Sequence, residues 1–176
     1  MHAFARRSLT LAAVTLGFTA LLAEPAAAQE RPAPVVELAV GALLFPDDGI
    51  TVEEGFIGGA GRFYLSPRLR VGPEVAYIGA ALHSHLMLTG NLTFDFIGAD
   101  GQRPRLTPFV VVGAGLFRTR EEFGTIDSTH SEGAFTAGGG VRVRVGQRVV
   151  VGAEARIGWE LHLRVNGMIG ISLGGR

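Results

Sequence analysis

Residues 148 to 161 read Arg-Val-Val-Val-Gly-Ala-Glu-Ala-Arg-Ile-Gly-Trp-Glu-Leu. Taken by twos, Val149, Val151, Ala153, Ala155, Ile157, Trp159 and Leu161 fall on one side. Arg148, Val150, Gly152, Glu154, Arg156, Gly158 and Glu160 fall on the other. A helix would gather every third or fourth residue into a stripe, whereas a strand sends successive side chains to opposite faces. This stretch therefore reads as a β-strand with one apolar and one polar face.

The same sorting spreads outward. Residues 162–173 set Leu163, Val165, Gly167, Ile169, Ile171 and Leu173 against His162, Arg164, Asn166, Met168, Gly170 and Ser172. Residues 135–145 set Phe135, Ala137, Val141, Val143 and Val145 against Thr136, Arg142 and Arg144, and residues 85–96 alternate alike. Cut at its turn residues, the pattern gives eight strands, at 35–44, 55–66, 69–81, 85–97, 106–118, 134–146, 148–160 and 162–173. Longer connections are expected at 45–54, 98–105 and 119–133. In the fifth strand both faces are apolar; Val110, Val112, Ala114 and Leu116 are taken as the lipid-type face.

Period two alone does not say which face is inside. A soluble barrel or sandwich turns the apolar face inward, and a membrane barrel turns it to lipid. Strand length favours the membrane, since a tilted strand needs about 9–11 residues to cross the hydrocarbon. So does the mixed charge of the polar faces: Glu37, Arg62, Arg70, Glu74, Asp95, Arg142, Arg144, Glu154, Arg156 and Arg164. Each Arg facing lipid near the midplane would cost about 2–4 kcal/mol, so these faces belong to a lumen. There they are expected to form an ion-pair network that plugs the barrel, since eight strands leave an interior that side chains can fill. Aromatics fall near strand ends in two groups: Phe45, Tyr77, Phe117, Phe135 and Trp159 at one end, and Phe63, Tyr64, Phe94, Phe96 and Phe109 at the other. They are expected to be interfacial girdles.

The chain begins differently. Arg6 and Arg7 precede an apolar run from Leu9 to Leu22, and Glu24-Pro25 and Ala26-Ala27-Ala28 follow. The run is too short for a helical span and reads as a secretory signal peptide, cleaved after Ala28. The expected organisation is a signal peptide at 1–28, an extended leader at 29–34, a barrel at 35–173 and a tail at 174–176.

The export signal and eight strands are joined by Thr107-Pro108-Phe109-Val110-Val111-Val112-Gly113-Ala114-Gly115 and the closing Val165-Asn166-Gly167-Met168-Ile169-Gly170-Ile171-Ser172-Leu173. Together they resemble small bacterial outer-membrane β-barrels of the outer membrane protein A/X type. The resemblance covers the whole mature chain at the level of pattern. It implies an all-β, antiparallel, up-and-down transmembrane barrel in the outer membrane. It also implies contact with outer-membrane lipid and insertion by the barrel assembly machinery. Members commonly end in an aromatic residue, whereas this chain ends Leu173-Gly174-Gly175-Arg176.

Composition excludes much chemistry. The chain of 176 residues has no Cys, and its 16 basic residues are all Arg. Thiol nucleophiles, thiolate metal sites, lysine Schiff bases and lysine phosphate loops are therefore absent. Sixteen acids balance the arginines, so no global field recruits nucleic acid. The mature histidines His83, His85, His130 and His162 map to outer strand ends, where metal binding is a minor alternative. His83-Ser84-His85 and His130-Ser131-Glu132 hold the residue types of an outer-membrane lipid A deacylase but do not match its active-site segment. No enzyme activity and no cofactor are expected. The expected protein is a monomeric structural or surface-interaction barrel with 119–133 as its external contact segment. A narrow channel, or a secreted soluble barrel for an apolar ligand, is the alternative.

Overall fold

The computed structural model describes residues 32–47, 50–79, 83–97, 104–123, 126–158 and 162–174. The expected signal peptide and most of the leader lie outside the described residues. Eight strands, β1 (Val35–Asp47), β2 (Ile50–Tyr64), β3 (Leu69–Gly79), β4 (His83–Asp95), β5 (Leu106–Phe123), β6 (Ile126–Val145), β7 (Val149–Gly158) and β8 (Leu163–Ser172), follow in order. Each pairs antiparallel with the next, and β8 pairs with β1, so the sheet closes into a barrel without an open edge around its girth.

Alternation fixes the faces. Leu38, Val75, Leu88, Val112, Ile157 and Ile169 stand on the outer surface, each about half exposed. Their neighbours Glu37, Glu74, Thr89, Val111, Arg156 and Gly170 turn inward and are buried. The soluble alternative required the reverse. In β5, Val110, Val112 and Leu116 face out while Phe109 and Val111 face in, as the one-sided reading of that strand expects.

We refer to the end where β1 begins and β8 finishes as the near end. Two of its turns are tight. Between β2 and β3 the Leu65 amide donates to the Leu69 carbonyl (2.9 Å), and Ser66 Oγ accepts from the amides of Arg68 and Leu69. Between β6 and β7, Gly146 takes φ +76°, a conformation that L side chains rarely adopt. Glycine also lets the wall curve. A Cβ on Gly140 would lie 2.1 Å from the Ala153 carbonyl oxygen and 2.8 Å from the Phe109 ring.

The far end departs from expectation. The connection expected at 45–54 is largely ladder, since β1 and β2 stay paired as far as Asp47↔Ile50. The segment expected as a loop at 119–133 is likewise the continuation of β5 and β6, paired to Phe123↔Ile126. The reason is physical. Beyond the apolar slab both faces of a strand meet water, so hydropathy stops alternating while backbone pairing continues.

Candidate functional site

All ten charged positions expected in the lumen lie at inward phase on the strands, and nine of them are buried. Arg144 is the exception: it sits one inward position below Arg142, at the near-end rim, and is exposed. Arg70, Arg156 and Arg164 are among the most deeply buried large side chains of the barrel.

The buried nine form one connected set. Towards the near end, Asp95 meets Arg70 at 2.5 Å and Arg142 at 3.3 Å, and Glu37 meets the same two arginines at 3.6 and 3.4 Å. This makes a closed square of alternating charge. Arg62 links it onward, with Nε 3.0 Å from Glu37 and Nη2 2.7 Å from Glu74. Glu74 then meets Arg156 at 3.0 Å and Arg164 at 2.6 Å, and Glu154 meets both, at 2.6 and 2.9 Å. Arg156 grips Glu154 with two hydrogen bonds from Nε and Nη2, the planar fork that suits guanidinium to carboxylate.

Neutral and aromatic groups complete the packing. Asn91 donates to Glu74 Oε2 (3.1 Å) and accepts from Arg156 Nη1 (2.9 Å). The Arg142 guanidinium carbon lies 3.5 Å from the Phe109 ring centroid, a cation–π contact. Arg156 and Arg164 are directly opposite across β7 and β8, a repulsive pairing by itself. The two acids that both arginines hold offset it. A cavity of about 10 Å³ remains among Arg62, Glu74, Glu154, Arg156, Arg164 and Asn166. That is room for one water at most.

Sequence reasoning missed a second layer. Leu43, Phe56, Ala76, Ile78 and Met87 pack together inside the barrel on the far side of the charges, with Ala39, Phe45 and Phe117 against them. These residues share the inward phase of Glu37, Arg62 and Glu74, so the signal was present in the alternation. Above this layer, His85 stacks on Phe117 (4.9 Å between centroids), with Nδ1 2.9 Å from Thr119 Oγ1 and Nε2 3.6 Å from Glu54. His162 is buried against Phe45.

The aromatics divide. Phe63, Tyr77, Phe96 and Phe135 stand exposed on the outer wall, and Phe94 packs edge-on against Phe96. Phe45, Phe109 and Phe117 turn into the barrel instead of ringing it, and Tyr64 joins them beneath the Arg70 guanidinium at 5.5 Å. The correction follows from register, because sending Val110, Val112 and Leu116 to lipid sends Phe109 and Phe117 inward. Trp159 lies outside the described residues.

Neither polar triplet forms a catalytic arrangement within its own segment. Residues 130–132 lie on β6, where alternation sends Ser131 to the face opposite His130 and Glu132. Ser84 and His85 are likewise on opposite faces of β4. Among the described residues, no group of three or more His, Asp or Glu side chains could hold a metal ion.

Neither protein-family models nor curated proteins yielded a match to this sequence. Solved structures did. Neisserial surface protein A superposes with a TM-score of 0.69 at 10% identity, over 82% of this chain and 100% of that one. The N-terminal β-barrel domain of OprF from Pseudomonas aeruginosa gives 0.61 at 11% identity, over 78% and 96%. Ail, the attachment invasion locus protein of Yersinia pestis, gives 0.55 at 12% identity, over 81% and 97%. The fold is thus that of the small eight-stranded transmembrane barrels of bacterial outer membranes. At these identities the likeness defines the architecture and leaves the role to the chain's own residues.

Proposed function

We propose that this protein is a closed, non-enzymatic barrel of the bacterial outer membrane that acts at the cell surface through its β5–β6 hairpin. The signal-like N-terminus supports export, and the apolar outer wall supports residence in lipid. In this reading the near end faces the periplasm, the far end faces outside, and the monomeric barrel is inserted by the barrel assembly machinery. The charge network and the apolar layer above it act as a plug.

The observation that carries the surface role is the hairpin itself. β5 and β6 contain 18 and 20 residues, far more than the roughly 9–11 that a crossing uses. The pairing of β6 with β7 runs as far as Thr136↔Gly158, so among the described residues the backbone of 126–135 is paired only to β5. A strand with one free side can add a strand from another protein. Ail is named the attachment invasion locus protein, a surface role that is compatible with this reading.

Trypsin added to intact cells tests the arrangement. The expected result is cleavage at Arg118 or Arg120, with the remaining barrel protected and still shifting its gel migration on boiling. Cleavage only after the outer membrane is permeabilised would reverse the orientation. A soluble product with no heat-dependent migration would overturn the membrane reading.

A further inference from the structure

At the near-end mouth, arginine outnumbers the acids available to it. A cavity of about 40 Å³ opens there, lined among others by Tyr64, Arg70, Arg105, Thr107, Arg142 and Arg144. One water needs only about 10–15 Å³ of such space, so the cavity has room for a group of several atoms. Its two acidic lining residues, Glu37 and Asp95, are the ones already spanned by Arg70 and Arg142. Among the described residues that line it, four guanidinium groups against two carboxylates leave an excess of two positive charges.

The excess sits on Arg105 and Arg144. The Arg144 amide donates to the Arg105 carbonyl at 2.9 Å, so the two side chains leave neighbouring points of the rim. Like charges so placed repel each other. Among the described residues, neither has a carboxylate within ion-pair distance. Deeper in, the buried Nε of Arg70 makes no hydrogen bond, and that of Arg142 has only a 3.4 Å ion-pair contact with Glu37. A buried donor without an acceptor is costly, and an anion in the cavity could relieve both defects.

We propose that this mouth is a binding site for one phosphate-type oxyanion, either free in solution or carried on an anionic lipid headgroup. Guanidinium forks match phosphate oxygens. Donors converging from several strands suit a tetrahedral oxyanion better than a planar carboxylate. The site is independent of the surface role proposed above and of the barrel's orientation.

The test uses the full mature chain in uncharged detergent micelles, titrated with inorganic phosphate and followed by backbone amide NMR. Saturable shifts are expected at Tyr64, Arg105, Thr107 and Arg144, and acetate should bind more weakly. The Arg105→Gln/Arg144→Gln double variant leaves the buried network intact and should bind at least about tenfold more weakly, the equivalent of about 1.4 kcal/mol. The far-end variant Arg118→Gln/Arg120→Gln should bind as wild type. Unchanged affinity in the rim double variant, while it still folds, would overturn the proposal, as would the absence of saturable shifts at millimolar phosphate. In nanodiscs free of phosphate, the same shifts on adding phosphatidylglycerol would assign the headgroup as the source. Shifts with inorganic phosphate alone would assign the solution ion.

Discussion

Glu37 and Glu74 each meet three arginines, but Glu74 holds Arg62, Arg156 and Arg164 at 2.6–3.0 Å against 3.0–3.6 Å for Glu37 and also accepts a hydrogen bond from Asn91, so its contacts are the tighter set. Glu74→Gln keeps the shape but leaves three buried guanidinium groups short of a counter-charge. Removing one partner of a buried ion pair costs about 3–5 kcal/mol. We expect a loss of that size in urea titrations of the barrel in lipid vesicles. Arg144→Gln, at the exposed rim, should stay within about 0.5 kcal/mol of wild type by the same measurement. Equal effects of the two would mean that the buried contacts of Glu74 carry no such weight. The inward placement of Glu74, Arg156 and Arg164 was legible from alternation, because a charge on the lipid face is so expensive. Their partners were not, since pairing depends on how strands across the lumen meet. Phe45, Phe109 and Phe117 show the limit at this scale. An aromatic near a strand end is tolerated on either face, so its position along the strand does not reveal its direction.

At the scale of the strands, the membrane-crossing parts of all eight elements were legible, while the far-end extensions of β1, β2, β5 and β6 were not. Hydropathy alternates only where one face meets lipid. From Thr119 to Gly133 polar residues occur at both phases of the alternation and so imitate a loop in the sequence. The ladder pairs Arg118↔Ser131, Thr119↔His130 and Arg120↔Thr129, so those residues should carry strand-like chemical shifts. Their amides on the paired side should exchange slowly with deuterated water. Fast exchange throughout 118–131 would restore the loop that hydropathy suggests. Within the slab the outer face should be intolerant of charge. Leu88, in the middle of β4 and half exposed on the wall, gives the cleanest test. Leu88→Arg should cost about 2–4 kcal/mol in vesicle unfolding, while Leu88→Ile should cost little. A mild effect of Leu88→Arg would place that part of β4 outside the hydrocarbon.

For the barrel as a whole, the two luminal layers fail by different physics. In the proposed plug, the charge layer resists ion passage because its side chains hold one another in ion pairs and only about 10 Å³ of space lies among them. It can be loosened by removing a charge. In the same proposal, the apolar layer of Leu43, Phe56, Ala76, Ile78 and Met87 resists by refusing water, as a hydrophobic constriction does. Changing a carboxylate below leaves it unmoved. On the proposed plug, the two act in series, and a pore requires both to open. In planar bilayers, wild type should be silent, and Glu154→Gln should be silent too, although it frees Arg156 and Arg164 from one of their two acids. Ile78→Ser with Leu43→Ser should also be silent, because the charge layer remains. Combining all three substitutions should yield discrete conductance steps in protein that still migrates as a folded barrel. Steps from Glu154→Gln alone would mean that the apolar layer is not a seal and would return the barrel to the narrow-channel class. Silence of the folded triple variant would mean that luminal packing, rather than either layer's chemistry, closes the barrel.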